Sequence, residues 1–277
     1  MSDHDKAGTT TAMRSEPLAQ QQGNEALWAQ VFAQGHPELN KQHRLHKKLP
    51  SDPRCKLCYV PFGGVGGWVM RRRGKGRNSR NPNFCNACDG FIQAFPGGAD
   101  VELSVLYVDV RNSTQFADNA SAATVSRRIN AFLDQVTDVI TKADGFVLAF
   151  YGDCVVAVWP PGFSGPQHAQ KCLRAARQLG RLQMRDTDGN SIPVGVAAHA
   201  GSVFIGTVSA LQGSFRDVSI FGRNVNVLAR LAAQAKPAEA LVTREILEAA
   251  GEGTGAWQQR SLQLKGIAEP VTAFSFL

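Results

Sequence analysis

The chain has 277 residues, of which 43% are hydrophobic and 19% are charged, and its formal net charge is +7. This length allows one sizeable core with a smaller appendage. No apolar stretch reaches the roughly 20 residues of a transmembrane segment, and residues 1–11 lack the apolar part of a secretory signal, so we expect a cytoplasmic protein. In that compartment the six cysteines are expected to be thiols or metal ligands and not disulfides.

The first 50 residues divide into a polar tail and a basic, partly helical stretch. Residues 1–24 are rich in Thr, Gln and Ser and have no periodicity, so they are predicted to be disordered. The segment 25–50 is predicted to hold a short amphipathic helix that ends at Gly35, followed by a basic linker. This helix has one apolar face, formed by Leu27, Trp28, Val31 and Phe32. That face can pack on the chain's own core or on a second subunit.

Residues 51–97 are rich in Gly, Pro, Asn and Arg and contain two CxxC pairs. The paired cysteines are Cys55, Cys58, Cys85 and Cys88. Four thiolates on two such knuckles suit one tetrahedral zinc ion, and a segment with few large apolar residues needs such a staple to fold. We therefore predict a small zinc-ribbon-like domain with one structural Zn²⁺. The stretch Arg71–Arg80 between the pairs could contact nucleic acid or an anionic surface, with a solvated basic surface as the simpler interpretation.

From residue 98 onward the sequence alternates between apolar strands and helices. Strands are predicted at 101–109, 146–151, 154–159, 193–200, 202–208, 240–242, 257–264 and 271–276. Helices are predicted across 113–143 and at 166–184, 224–235 and 243–250. Hairpins separated by helices indicate an α+β domain over 98–277, with a mostly antiparallel sheet and helices on one of its faces. Cys154 and Cys172 fall inside these elements and are predicted to be inert core thiols.

Two acids stand where a predicted strand meets a turn: Asp109 and Asp153. Acids at adjacent strand ends can share a pair of divalent cations, and such a pair of ions promotes attack on a phosphoryl group. The simpler alternative is that each acid does no more than cap a turn. Asn226 and Arg230 lie four residues apart near the start of a predicted helix, so they share one helical face. That pair could hold a ribose and a phosphate together, or it could be a solvated polar stripe.

Five segments of this unit, taken together, resemble a known family. They read Leu106-Tyr-Val-Asp-Val-Arg-Asn-Ser-Thr114, Tyr151-Gly-Asp-Cys-Val-Val-Ala-Val158, Val194-Gly-Val-Ala-Ala-His-Ala-Gly201 with Phe204-Ile-Gly206, Phe221-Gly-Arg-Asn-Val-Asn-Val-Leu-Ala-Arg-Leu231 and Leu264-Lys-Gly-Ile-Ala-Glu-Pro-Val271. In this order they resemble the class III nucleotidyl cyclase catalytic domain of adenylate and guanylate cyclases. The resemblance implies a ferredoxin-like, palm-type sheet. Residues 51–97 resemble the segment that precedes this domain in a bacterial subgroup of soluble cyclases.

The resemblance also implies a reaction, in which a ribonucleoside triphosphate becomes a 3′,5′-cyclic nucleotide and pyrophosphate. It implies two Mg²⁺ or Mn²⁺ ions in each active site, held by Asp109, the carbonyl of Val110 and Asp153.

The remaining implied roles concern the substrate. Asn226 would orient the ribose, Arg230 would stabilise charge on the α-phosphoryl group, and Lys265 would meet the β- and γ-phosphates. Members of the family take the metal set and the Asn/Arg set from two chains. The resemblance therefore implies a homodimer with active sites at its interface.

The chain departs from the family at the two positions that normally read the purine edge. Ala149 stands where adenylate cyclases have lysine, and Ser219 stands where they have Asp or Thr; the Glu and Cys of guanylate cyclases are absent too. A hydrogen-bonding pocket discriminates between substrates by roughly 10⁴–10⁵, whereas shape alone gives about 10–200-fold. The sequence therefore does not assign the nucleobase of the substrate.

Three interpretations remain. The chain could be an adenylate cyclase with relaxed base recognition, or a non-catalytic nucleotide or nucleic-acid adaptor. It could also use a pyrimidine triphosphate, resembling the bacterial cyclases that make cyclic UMP or cyclic CMP as antiphage signals. We favour the pyrimidine interpretation, because the metal and transition-state residues are retained while only the base readers differ.

Overall fold

A computed structural model describes residues 18–49, 53–210 and 215–276. The helices are α1 Leu18–Ala29, α2 Pro37–Lys47, α3 Gly64–Arg72, α4 Asn86–Ala94, α5 Ser113–Asp118, α6 Ala122–Lys142, α7 Pro161–Ser164, α8 His168–Arg181, α9 Arg223–Gln234 and α10 Arg244–Ala249. The strands are β1 Gly98–Val110, β2 Phe146–Tyr151, β3 Cys154–Trp159, β4 Val194–Ala210, β5 Phe215–Phe221, β6 Glu239–Val242, β7 Gln258–Leu262 and β8 Val271–Phe276. Among these described residues, no helix is both long and apolar enough to cross a lipid bilayer.

All eight strands belong to one sheet, in the order β2-β3-β1-β4-β6-β8-β7, with β5 also paired to β4. The pairings are antiparallel except for the parallel pair of β4 and β6. The central ladder joins β1 to β4 along all 13 residues of β1, from Gly98 opposite Gly206 to Val110 opposite Val194. The predicted α+β class with a mostly antiparallel sheet is confirmed.

The sheet is buried on both faces, whereas the sequence predicted helices on one face only. On β1, Val101, Leu103 and Val105 enter one apolar cluster, and Leu106, Val108 and Val110 enter the other. The second cluster is covered by α6, α8 and α10. The first is covered by α9 and by the N-terminal segment. The apolar run 105–108 without alternation is typical of a strand buried on both faces.

The N-terminal helix packs on the chain's own sheet. Trp28 is 0% exposed, lies against Phe32 with ring centroids 5.3 Å apart, and donates its indole N–H to the Phe95 carbonyl at 2.9 Å. These rings are therefore not available as the contact with a second subunit that the sequence left open. The helix begins at Leu18, so residues 18–24 are helical where disorder was predicted, and residues 1–17 lie outside the described part. The predicted basic linker contains α2, which starts at Pro37.

The cysteine-rich segment is built from helices more than from strands. It contains α3 and α4, and its described residues form only isolated bridges, Arg54 with Pro61 and Arg77 with Cys85. Its largest apolar side chains are buried in the same cluster as β1: Leu57, Val60, Phe62, Met70, Phe84 and Ile92. A shared core explains how so small a segment is stabilised, because it buries its apolar surface against the sheet.

One predicted hairpin is wrong. The segments 193–200 and 202–208 form a single strand of 17 residues, β4, because Gly201 lies opposite Leu103 and the ladder with β1 continues through it. The hairpin partner of β4 is β5, which was not predicted. Its alternating apolar residues Val218 and Ile220 carry the signal for a strand, but Arg216 and Asp217 interrupt it.

We predict that the N-terminal helix stabilises the whole domain. Trp28→Ala should lower the free energy of unfolding by about 3–5 kcal/mol, because it leaves a large cavity in the shared core. The matched control is Trp68→Ala, since Trp68 is 48% exposed and stacks only on Arg72. The control should cost less than about 1 kcal/mol. Urea unfolding followed by circular dichroism measures both, and equal losses in the two variants would contradict the shared core.

Candidate active site

The structure brings the two predicted metal ligands to one end of the sheet. Asp109 pairs with Cys154 in the β1–β3 ladder, and the Val110 N–H donates to the Asp153 carbonyl at 3.1 Å. Asp153 lies in the turn between β2 and β3, where Gly152 has φ 63°. A two-residue hairpin turn needs such a positive φ at its first position. The turn therefore fixes Asp153 beside the end of β1.

Arg111 lies between these acids and α9, a position that was not predicted from the sequence. Its guanidinium forms an ion pair with the Asp109 carboxylate and donates to the Ala233 carbonyl at 3.1 Å. Burial lowers the pKa of Arg111, and the negative charge of Asp153 opposes this shift. The ion pair with Asp109 and the charge effect of Asp153 together place Arg111 near both acids. A basic residue two positions after a strand-end acid was the only available signal.

The end of the sheet that carries Asp109 and Asp153, called the acid end below, offers a ligand set that suits magnesium or manganese. Asp109 and Asp153 provide carboxylate oxygens, and Val110 provides a carbonyl next to them. The Asp109 side chain is partly exposed even while it is paired with Arg111. Hard divalent cations prefer such oxygen ligands. The residues therefore fit the two-metal site that the sequence predicted.

The substrate-side residues lie on α9 and on the turn between β7 and β8. Asn226 and Arg230 are exposed, while Val225 and Leu228 on the same helix are buried. A Cβ added at Gly266 would lie 3.3 Å from Arg230 Nη1, so the guanidinium sits over the turn that carries Lys265. Gly266 has φ +69°, a conformation that favours glycine. The structure therefore brings Arg230 and the Lys265 turn together.

The two expected base-reading positions line the same cavity. Ala149 on β2 and Ser219 on β5 border a space of about 830 Å³, together with Phe150 and Tyr151. Ala149 offers no polar side-chain atom there, and Ser219 offers one hydroxyl. Residues of the cysteine-rich segment, Lys56 among them, line this cavity too. Their presence was not predicted, because nothing in the local sequence tells which face of the sheet this segment covers.

The four paired cysteines converge on one buried point. Their sulfur atoms all lie within 4.8 Å of one another, and Cys58 Sγ is 3.7 Å from Cys85 Sγ. A tetrahedral site with Zn–S bonds of about 2.3 Å has edges of about 3.8 Å. The Cys85 N–H donates to Cys55 Sγ at 3.2 Å, which orients that ligand. The set therefore fits a closed, structural zinc site.

Of the two other cysteines, Cys172 is a buried core thiol as predicted, whereas Cys154 is only partly buried. Cys154 lies in β3 and Cys172 lies fully buried in α8. Burial raises the pKa of Cys154 to about 11, with a further contribution from Asp153, and burial alone raises that of Cys172. Both therefore stay protonated at neutral pH and are poor nucleophiles.

The family model described as adenylate and guanylate cyclase catalytic domain matches residues 99–275. An uncharacterised protein of Mycobacterium tuberculosis (strain CDC 1551 / Oshkosh) is 32% identical over 183 residues, which are 63% of this chain and 31% of that protein. Another, from strain ATCC 25618 / H37Rv, is 29% identical over 179 residues, which are 63% of this chain and 32% of that protein. The chain spans about a third of the length of these curated relatives.

Solved cyclase structures share the fold. The adenylyl cyclase CyaB from P. aeruginosa is 21% identical with a TM-score of 0.54, over 65% of this chain and 95% of that one. The catalytic core of a rhodopsin-guanylyl cyclase with converted specificity, in complex with ATPalphaS, is 17% identical with a TM-score of 0.57, over 64% of this chain and 96% of that one.

We predict that the cysteine cluster binds one zinc ion per chain. Cys58→Ser and Cys85→Ser should each lose the metal and lower the melting temperature, because the segment then loses its staple. Cys172→Ala is the matched control, since this thiol is also fully buried but lies in α8. It should keep its metal. Atomic emission of the purified proteins measures zinc per chain, and a wild type without metal after expression with zinc would disprove the site.

Proposed function

The chain belongs to the adenylate and guanylate cyclase catalytic domain family, and from this we propose that it cyclises a ribonucleoside triphosphate to a 3′,5′-cyclic nucleotide. Members of this family are nucleotide cyclases that use two divalent metal ions. One observation supports the proposal: the residues expected to bind metal lie together, and so do two of those expected to bind phosphate. Asp109 and Asp153 share one sheet end, and Arg230 lies over the turn of Lys265.

In the proposed reaction the ribose 3′-hydroxyl loses its proton to solvent, its oxygen forms a bond to the α-phosphorus, and the bond from that phosphorus to the leaving pyrophosphate breaks. Bound Mg²⁺ or Mn²⁺ ions supply activation of the 3′-hydroxyl and neutralisation of phosphate charge. Asp109, the Val110 carbonyl and Asp153 would hold these ions, since all three residues lie where β1 ends beside the β2–β3 turn.

The other residues act directly on the substrate. The Asn226 amide would hold the ribose so that its 3′-oxygen faces the α-phosphorus. The Arg230 guanidinium would donate to α-phosphoryl oxygens as their charge grows. The Lys265 ammonium would neutralise the β- and γ-phosphates as pyrophosphate leaves. The neighbourhood of Arg230 and the Lys265 turn supports this division of roles, because one triphosphate must reach both.

We further propose that two chains share each active site. Among the described residues, no hydrogen bond or ion pair joins the exposed side chains of Asn226 or Arg230 to Asp109 or Asp153. A homodimer with twofold symmetry would bring the acid end of one subunit to α9 of the other and make two equivalent sites.

For the base we propose a pyrimidine, UTP or CTP. Both usual purine readers are replaced, by Ala149 and Ser219, whereas the metal and phosphate residues are kept. Phe150 and Tyr151 are exposed side chains that line the cavity beside Ala149, so their rings can cover a smaller base. The second candidate is ATP with relaxed recognition, which the cavity volume of about 830 Å³ favours. A role in antiphage signalling stays a prediction from the resemblance.

The basic stretch Arg71–Arg80 stays a predicted contact for nucleic acid or an anionic surface. Arg72, Arg73 and Arg80 are exposed. Arg72 lies 3.8 Å over the ring of Trp68, so this aromatic side chain is engaged within the segment. A non-catalytic adaptor remains the alternative to the enzyme, and it is the result expected if no triphosphate is turned over.

We predict turnover of at least one of the four ribonucleoside triphosphates with Mn²⁺, measured by chromatography of the cyclic product. Asp109→Asn should abolish it, and Arg230→Ala should lower kcat by about 10²–10³, because one donor to the transition state is lost. Arg174→Ala should change nothing, since Arg174 is exposed on α8 at the other face of the sheet. No product from any triphosphate with the wild type would refute the proposed reaction.

We also predict complementation between inactive variants. Asp109→Asn lacks a metal-binding carboxylate, and Arg230→Ala lacks the guanidinium that would bind the α-phosphate. In a dimer with one chain of each variant, one of the two sites therefore combines an intact Asp109 with an intact Arg230. Random mixing should therefore restore about a quarter of wild-type activity. Mixing Asp109→Asn with Asp153→Asn is the control and should restore none. If the first mixture stays as inactive as its components, each site lies within one chain.

A further inference from the structure

We propose that Lys56, on the first cysteine knuckle, and Asp217, on β5, read the base in the cavity between β2 and β5. The two residues would be the specificity determinants of the pocket from which the usual readers are missing. This inference rests on the proposed function and deepens it, since it concerns the same site.

The geometry places both side chains at this cavity. Lys56 and Asp217 line it together with Ala149 and Ser219. Their side chains are 14% and 26% exposed, so both are largely buried. Asp217 lies two residues before Ser219 on β5. The lysine that is missing at Ala149 is thus replaced, in the same space, by a lysine from another segment.

The pair is held loosely enough to bind something else. Lys56 Nζ lies 3.5 Å from Asp217 Oδ1, which is longer than the roughly 2.7–2.9 Å of a strong charge-assisted hydrogen bond. Asp217 Oδ1 also accepts the Val218 N–H at 2.7 Å, which fixes the carboxylate. A base edge could therefore take one bond from each group without breaking a tight ion pair.

The backbone around Lys56 is rigid. The Lys56 N–H donates to the Asn83 carbonyl at 2.8 Å, which links the first cysteine knuckle to the chain just before the second. Tyr59, on the same knuckle, donates its hydroxyl proton to the Gly145 carbonyl at 2.9 Å, directly before β2. The knuckle is therefore anchored to the strand that forms the other wall of the cavity. Such support is what a selective binding group requires.

The chemistry of the pair is complementary to a base edge. A lysine ammonium only donates hydrogen bonds, and an ionised carboxylate only accepts them. Uracil offers an acceptor, O4, beside a donor, N3–H. Cytosine offers an acceptor, N3, beside the donor amino group on C4. Either pyrimidine of the proposed substrate can therefore bind Lys56 through its acceptor and Asp217 through its donor.

The competing interpretation is a structural ion pair that only ties the cysteine-rich segment to β5. Arg77 lines the cavity as well, but its side chain is exposed and donates to the Pro82 carbonyl at 2.7 Å. A structural pair would affect the affinity for all nucleotides alike. A base reader would affect the ratio between them, and that difference is measurable.

The test measures binding separately from turnover. The four 3′-deoxynucleoside triphosphates lack the attacking hydroxyl, so they report binding without reaction in titration calorimetry with Mg²⁺. Inorganic tripolyphosphate reports the phosphate subsite alone. The variants are Lys56→Met and Asp217→Asn, with Lys56→Arg as a charge-conserving variant. The control is Lys41→Met, which removes an exposed charge from α2. Melting temperatures and zinc content check that each variant is folded.

We expect Lys56→Met and Asp217→Asn to reduce the affinity ratio between the best and the worst base by at least about tenfold. Tripolyphosphate affinity and the Lys41→Met ratios should stay unchanged, and Lys56→Arg should keep part of the preference. Equal losses for all four bases, or unchanged ratios, would overturn the inference. If Lys56→Met does not fold, Asp217→Asn and Lys56→Arg decide.

The two proposals can fail separately. A wild type that makes no cyclic nucleotide, yet shows a base preference that these variants erase, would refute the proposed reaction and support the base readers. A wild type that makes a cyclic nucleotide with a preference unchanged in the variants would refute the base readers alone.

Discussion

The ladder between β1 and β4 is the constraint on which the remaining structure depends. β1 pairs along its whole length with β4, and it is buried on both faces. Because side chains alternate between the faces, a slip of one residue would exchange both cores at once. The register therefore fixes Asp109 at the end of the strand beside the β2–β3 turn. It also fixes the point at which β4 extends past β1 and pairs with β5, the strand that lines the cavity.

The edge of β4 is divided between two partners. β6 pairs with residues 195–198, and β5 pairs with residues 204–210 on the same side. The helix α9 follows β5 directly, and the Asn224 amide reaches the Ser202 carbonyl at 3.5 Å, between the two partners. The position of the exposed helical face that carries Asn226 and Arg230 therefore depends on β4, which pairs with both β5 and β6 along one edge.

The sequence was sufficient for features that depend on local patterns. The β2–β3 hairpin, the helix with Asn226 and Arg230, and the cysteine pairing all follow from spacing and turn residues. It was insufficient where contacts are long-range. Lys56 and Asp217 lie 161 positions apart, and Arg111 contacts the Ala233 carbonyl 122 positions away. A local pattern carries no information about such contacts. The continuity of β4 through Gly201 was missed for the same reason, since its partner β1 lies about a hundred residues earlier.

The β1–β4 ladder also has a kinetic consequence. It joins residues 84 to 108 positions apart, so the chain must close a long loop before the ladder offers any stabilisation. Such topologies fold slowly. During synthesis α1 emerges before β1 and β4, but Trp28 and Phe32 have no core to enter until these two strands have paired. The cysteine cluster closes a loop of only about 30 residues. Metal binding at this cluster would therefore give this part of the chain a compact form before the sheet has formed.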